Sequence, residues 1–488
     1  MSIVETHGGR SVAVPPAIGL DAFLSHIRTT VGEGGRVVAL FGTGAVPAVE
    51  LVAVVAVDHL GVLRVARTTI DGGAYPSLTP DVPQVHLFER EIHEQTGLVP
   101  DGHPWLKPVR FTRPGDHVGV MDYYAVEGES VHEVAVGPVH AGIIEPGHFR
   151  FQCHGETVFH LEISLGYQHR GIERALLREP AKRTLHLAET LAGDTTIGHA
   201  TAHCEAIEAI SNTRVPPRAH AIRAVALELE RLANHVGDLG ALAADVAFLP
   251  TASYCGRIRG DFLNLTATIC GNRFGRSLVV PGGVAFDIDE AMARDLTQRL
   301  DAAERDARGA IELMWGSATV MSRFEDTGVV SAATATELGL VGPSARASGL
   351  GRDVRIDHPW GLYQLQSVPM STATTGDVYA RARVRWLEAV RSMLFVRDLL
   401  SSLPGGPPRA SIGEVEPNRF AVAMVEGWRG EIAHVARTDS AGRLVSYKVV
   451  DPSFHNWMGL AMALRDQAIS DFPVCNKSFN LSYCGHDL

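Results

Sequence analysis

Cysteine is scarce in this chain and poorly spaced for chelation. Among 488 residues there are six, Cys153, Cys204, Cys255, Cys270, Cys475 and Cys484, and no two stand as C-x-x-C. That scatter suits reduced, mostly buried thiols and excludes a disulfide framework. Long apolar runs are missing as well. The nearest candidate, Leu51–Val57, is bounded by Glu50 and Asp58 and falls far short of the about 18 residues a membrane span needs, so it reads as a buried strand. The N-terminal stretch has no signal-peptide core, since Glu5, His7 and Arg10 occupy the places where apolar residues would be required. A cytoplasmic protein is the expectation, with any membrane association supplied by partner subunits. Positive charge is in deficit: 44 Lys and Arg face 55 Asp and Glu, a net charge of −11. Nonspecific nucleic-acid binding and attraction to anionic lipid are therefore not expected. Phosphate-binding loops are absent too. Gly34-Gly35-Arg36 and Leu40–Gly44 do not make G-x-G-x-x-G after a strand, and no P-loop occurs.

What is present is an ordinary globular balance, 45% apolar and 20% charged, over a length that predicts two or three domains. Residues 1–16 read as a disordered tail. Residues 17–112 read as a small α/β domain, with a helix over Ile18–Val31 and strands over Arg36–Phe41, Leu51–Val57 and Gly61–Ala66. A short acidic helix follows and ends at Gly97. Charges and the glycines Gly115 and Gly128 mark 113–135 as a linker. From 136 onward the chain reads as one large domain. A hairpin is expected over Gly147–Cys153 and Thr157–Ser164, and a long helix starts at Pro216-Pro217. Further helices are expected at 256–270, 289–315, 377–400 and 458–467, and strands and turns over 404–448. The whole is an α+β protein: a small N-terminal α/β unit, then a mainly helical bundle with peripheral antiparallel strands.

Histidine is abundant at 22 residues, and one H-x-x-x-H pair exists, His199 and His203. It lacks the Glu of H-E-x-x-H and a third ligand at a recognisable spacing. Two core histidines on one helix face is the plainer reading. Glu228 and Arg231, one helix turn apart in LELERLANH, read as a plain surface pair.

Four ordered stretches carry a family resemblance: GPVHAGIIEPGHFRF at 137–151, LEISLGYQHRGIER at 161–174, GPSARASG at 342–349 and DPSF at 451–454. They are preceded by HLFERE at 86–91. Together they resemble the fused large subunit of group 4 nickel–iron hydrogenases of the formate hydrogenlyase type. They are equally similar to the thirty-kilodalton and forty-nine-kilodalton subunits of NADH–quinone oxidoreductase, complex I. In that family the hydrogenase metal is held by two C-x-x-C pairs. Setting the family's histidine on His199 puts the first pair at Ala192 and Thr195, and DPSF puts the second at Ser453 and Asn456. None is a thiolate, and a nickel–iron centre needs soft ligands. The resemblance therefore implies no nickel and no cofactor bound by the chain's own cysteines. It implies instead the complex I pattern: an iron–sulfur cluster on a small hydrogenase-like partner, antiporter-like membrane subunits, and a cavity that passes electrons to a quinone. NADH would be oxidised on another subunit. The stretch after DPSF looks like a retained, folded end.

The resemblance also implies site residues. His140 in the G-P-x-H loop, Glu145 in I-I-E-P and His148 in EPGHF fall at the acceptor cavity, with Glu145 at a position linked to proton transfer. His169 and Arg170 of QHRG fall near the partner's cluster, and Arg346 and Asp353 at the cavity floor. Each has a plainer reading: His140 satisfying backbone groups in a tight loop, His169 and Arg170 as a helix-start charge cluster, Arg346 and Asp353 as structural ion pairs. The tyrosine that the larger of the two complex I subunits contributes falls at Gly193 here. That loss favours an alternative, a large subunit that has lost its metal site and acts as a non-catalytic scaffold.

Overall fold

The computed structural model describes residues 3–140, 144–179 and 181–488, the side chain of Ala181 excepted. Ala141, Gly142 and Ile143 of the 137–151 stretch lie outside the described residues.

Val-rich runs build the N-terminal sheet. Its strands Arg36–Ala45, Ala48–Val57 and Val62–Asp71 form a meander, and Val4–Thr6 adds to the free edge of the last. All pairings in this sheet are antiparallel, with one short parallel pair, Ala74–Pro76 and Val99–Asp101, beside it, so the small unit is itself of the α+β kind. The helix Leu20–Gly32 buries Phe23, Leu24 and Ile27, at the i, i+1, i+4 spacing of an apolar stripe. The helix His86–Thr96 stops where Gly97 turns left-handed at φ 81°.

The expected disordered tail is a correction. Val4–Thr6 pairs with Val62–Asp71, and Arg10–Ala13 pairs with Arg419–Gly427 in a second sheet completed by Gly430–Thr438 and Leu444–Val450. The tail thus joins both sheets. Its partner strands lie far off in sequence, so local composition carried no sign of them. The expected linker also closes with a strand, Val131–Val136, at the edge of a three-stranded sheet with His148–His154 and Thr157–Ser164.

Long helices form the bundle: Thr196–Ile210, Pro217–Asp245, Leu249–Cys270, Glu290–Trp315 and Val378–Ser401. The helix expected at 458–467 begins earlier, spanning Pro452–Ala463, because Asp451 caps it and Pro452 opens its first turn. DPSF is thus a helix start whose cap accepts from the Ser453 N–H at 2.8 Å.

The two parts share a core. Phe420, Val422, Met424 and Phe454 pack with the apolar face of the N-terminal sheet and with Phe88. Buried ion pairs cross the same seam. Arg36 bonds Glu431 and Asp58, and Lys448 bonds Glu91 at 2.6 Å. The FERE signature is therefore structural: Glu89 accepts from Ser77 and Thr79, and Glu91 ties the small unit to the C-terminal sheet.

Candidate acceptor site

The four positions that hold metal in the hydrogenase pattern are all buried and do not suit a metal. Ala192 has no donor atom. Thr195 accepts from the Trp428 indole N–H at 3.1 Å, and its hydroxyl donates to Asp194. Ser453 Oγ accepts from the Ser482 N–H at 2.8 Å. Asn456 makes a two-way pair with the Val341 backbone, at 3.0 and 3.1 Å. Each polar atom is already matched, and the donor set is neutral oxygen and nitrogen where soft thiolate is required. A nickel–iron centre does not fit these residues.

A guanidinium stands against the first pair: Arg429 donates to the Thr195 hydroxyl at 3.3 Å. Arg429 forms a fork with Asp194 at 2.6 and 2.8 Å, its Nε donates to the Asn480 carbonyl, and its charge lies over the Trp428 ring. Burial raises Asp194, but the Arg429 charge outweighs it and holds the carboxyl below its ordinary range. Nearby, Glu230 accepts from the Ile197 and Gly198 N–H groups that open the helix Thr196–Ile210, and burial pushes it up to about 8.

Beside this centre lies a cavity of about 420 Å³. Val136, Ile144, Phe151, Phe472 and Leu481 make it mostly apolar, and His140, Tyr483, Asn480, Asn476 and Asp245 add polar atoms. The half-buried His140 gives its Nε2 to the Gly147 carbonyl at 2.9 Å. A carbonyl only accepts, so Nε2 carries the proton and, in the neutral ring, Nδ1 is the acceptor, with no partner among the described residues. Gly147 also lies against the Tyr483 ring, where a β-carbon would stand 2.5 Å from a ring atom, so only glycine lets His140 and Tyr483 approach across it. Burial pushes the Tyr483 hydroxyl up to about 12, so it stays protonated at neutral pH.

The other expected residues divide. Glu145 is not in the cavity wall; it accepts from the Tyr483 N–H at 3.2 Å and so fixes the start of the helix Tyr483–Asp487. His148 faces away from the cavity. Its Nδ1 meets the Gly137 carbonyl at 3.2 Å, and Arg150 donates to its Nε2, so it is a neutral loop anchor. His169 and Arg170 clamp the C-terminal segment. His169 Nδ1 donates to the Asp487 carbonyl at 2.7 Å, and Arg170 reaches the carbonyls of Thr190, Leu191 and Cys484. The helices Phe472–Phe479 and Tyr483–Asp487 are buried and folded, as the sequence after DPSF led one to expect. Gly193 has nothing within 4 Å of where a side chain would begin.

Arg346 and Asp353 line none of these cavities. Both belong to a buried ion cluster with Glu228, Arg231, Arg355, Glu388 and Glu426. The surface reading of Glu228 and Arg231 is therefore wrong: each is 0% exposed. The helix Pro217–Asp245 is covered on nearly every face, so periodicity gave no polar side to recognise. Four carboxyls meet three guanidiniums, leaving one carboxyl without a full counter-charge. Glu426 is that group; burial and then the Asp353 charge push it up to about 7 against the pull of Arg346. Sequence reasoning also missed Tyr483, Trp428 and Arg429. Trp428 and Arg429 fall within the 404–448 stretch read only as strands and turns, and Tyr483 sits in a segment without periodicity.

Known proteins with similar sequences fall in one family. The 49 Kd subunit of respiratory-chain NADH dehydrogenase matches residues 245–419, and the 30 Kd subunit matches residues 33–120. The carbon monoxide-induced hydrogenase of Rhodospirillum rubrum is 32% identical over 352 residues, covering 72% of this chain and 98% of that protein. Formate hydrogenlyase subunit 5 of Escherichia coli K12 is 29% identical over 84% of this chain and 76% of its own length. An NADH-quinone oxidoreductase subunit of Solibacter usitatus is 27% identical over 65% of this chain and 86% of its own. With the fold, the motifs and these relatives in agreement, the chain belongs to the oxidoreductase family of hydrogenase large subunits and their complex I counterparts, in the fused form that carries both respiratory-chain parts and without the nickel-ligating cysteines.

Proposed function

We propose that this chain is the acceptor-binding subunit of a hydrogenase- or complex I-type respiratory complex, and that the His140–Tyr483 cavity takes a quinone-like molecule. The observation that carries this reading is the pairing of a filled metal position with an open cavity beside it. Its volume lies within the range of small-molecule sites, and its walls are apolar with a few polar atoms, which suits a quinone ring. Electrons come from an iron–sulfur cluster on a partner subunit, since this chain has no C-x-x-C pair to hold one. Reducing a quinone to a quinol consumes two electrons and two protons. Proton uptake at His140 Nδ1 turns the ring into a donor toward a carbonyl oxygen, and the Tyr483 hydroxyl supplies a second donor. In this reading the hydroxyl that a tyrosine at position 193 would have supplied comes from Tyr483 of the C-terminal segment, which favours an acceptor site over the scaffold alternative.

Among the described residues no helix is long and apolar enough to cross a membrane. Association with the inner face of the cell membrane therefore runs through partners: an iron–sulfur subunit and antiporter-like membrane proteins. One relative of 28% identity is itself called a membrane-bound hydrogenase subunit. Purification of this chain from native membranes in mild detergent tests the assembly. The expected result is co-purification with an iron–sulfur subunit and antiporter-like proteins, at far less than one nickel per chain. Recovery alone from the soluble fraction, or stoichiometric nickel, contradicts it.

A further inference from the structure

Tyr483 is held on nearly every side. Its ring stands edge-on to Trp457, 5.0 Å between centroids, and to Phe149 at 6.4 Å. Its backbone N–H donates to Glu145 at 3.2 Å, and the N–H of Cys484 reaches the same carboxylate oxygen at 3.5 Å. Gly147 closes against the ring edge, and the residue as a whole is buried. One freedom is left, the rotation of the O–H about its bond to the ring. Conjugation keeps a phenol hydrogen near the ring plane, so that rotation has two resting places.

Asn476 decides between them. It lies in the last turn of the helix Phe472–Phe479, where its backbone carbonyl accepts from the Asn480 N–H at 2.9 Å. Its side chain lines the same cavity as Tyr483 and His140, and it hydrogen-bonds the Tyr483 hydroxyl. Among the described residues no other side chain bonds that hydroxyl. Burial raises the hydroxyl and the Asn476 bond draws it back, as an amide N–H donating to the phenol oxygen does. An asparagine side chain offers either its amino group or its carbonyl. With the amino group toward Tyr483, one lone pair of the oxygen is occupied and the phenol hydrogen points away from Asn476, free to donate. With the carbonyl toward it, that hydrogen is held by Asn476 and the hydroxyl offers only lone pairs.

We propose that Asn476 is a positioning residue of the acceptor site: its amide N–H donates to the Tyr483 oxygen and so leaves the phenol hydrogen to the acceptor. This rests on the reading of the cavity as an acceptor site. The oxygens of a quinone only accept, so a hydroxyl whose hydrogen is spent on Asn476 could not bind one. Asn476 acts through Tyr483, and no proton passes through it. The same orientation bears on ligand class. A donor fixed at this wall matches a carbonyl oxygen, whereas a group that can only donate would set hydrogen against hydrogen.

Asn476→Asp keeps the shape and reverses the bond, since an ionised carboxylate only accepts and draws the phenol hydrogen to itself. The complex purified from native membranes is assayed with dithionite as reductant and a short-chain quinone as acceptor. The variant is expected to assemble and melt as the wild type does, with kcat lowered about tenfold or more, toward that of Tyr483→Phe. Wild-type kcat in Asn476→Asp overturns the assignment. A fluorinated tyrosine at position 483, whose phenol ionises nearer neutrality, gives a readout independent of turnover when titrated by 19F NMR in the same complex. Asn476→Leu keeps a similar volume and removes the amide. It is expected to shift that ionisation upward, because the ionised oxygen loses its donor. An unchanged or lowered value overturns the assignment. A wild-type complex that reduces no quinone overturns the acceptor reading instead, and the direction of the 19F titration shift still decides the bond.

Discussion

Substituting Glu388→Gln is expected to abolish accumulation of folded chain, or to lower its thermal midpoint by many degrees. Glu388 accepts from Arg346 at 2.8 Å and from His235 at 3.1 Å, and it bonds Arg231 as well. Burial alone would raise it, yet the Arg346 and Arg231 charges hold it well below the carboxylate range. Glutamine keeps the shape and removes the charge, so two guanidiniums lose their main counter-charge in a region closed to water. Breaking a buried pair in this way costs about 3–5 kcal/mol, a large part of the about 5–15 kcal/mol that holds a domain together. The contrast is Asp306→Asn, which removes one partner of Arg257 where both side chains are 51% exposed. Exposed pairs contribute about 0–1 kcal/mol, so that variant should melt with the wild type. Thermal melting of both, followed by circular dichroism, checks the pair of outcomes.

Loss of the cavity's two donors should reach the chemistry and spare the fold. His140→Gln keeps a donor to the Gly147 carbonyl but cannot take up a proton at neutral pH. Tyr483→Phe keeps the ring that fills the space between Trp457 and Phe149 and removes the hydroxyl. Each is expected to lower kcat for quinone reduction by about 10²-fold, the lower end of what a positioned proton donor supplies. Assembly and melting should be unchanged. The double variant should lose less than the product of the two, because both residues serve one acceptor and meet across Gly147. Steady-state quinone reduction by the four purified complexes measures this, and turnover unchanged in His140→Gln would remove that residue from the reaction.

How far the sequence reached depends on distance along the chain. The strand runs of the small unit, the hairpin at 148–164 and the helix opened by Pro216-Pro217 were all legible, because propensity, turn residues and proline are local signals. The start of the helix at Pro452 was present as well, in the Asp-Pro pair, although its apolar pattern suggested a later one. The N-terminal strands were not legible, since Arg10–Ala13 finds its partner at Arg419–Gly427. The site divided in the same way. Motif positions pointed to His140, which lines the cavity, and to Ala192, Thr195, Ser453 and Asn456. They could not show that Thr195, Ser453 and Asn456 bond backbone and indole partners, or that Arg429 stands against Thr195. Nor could they show that Tyr483, from the far end of the chain, lines the same cavity as His140. Contacts of this kind join residues far apart in the chain, so only the folded arrangement reveals them.

Photoaffinity labelling of the native complex with an azidoquinone tests the account most directly, with the adduct located by peptide mass spectrometry. The account predicts label on this chain, in the cavity-wall segments around His140 or within 469–483, and its loss when unlabelled short-chain quinone is present in excess. Label confined to other subunits of an intact complex would contradict it.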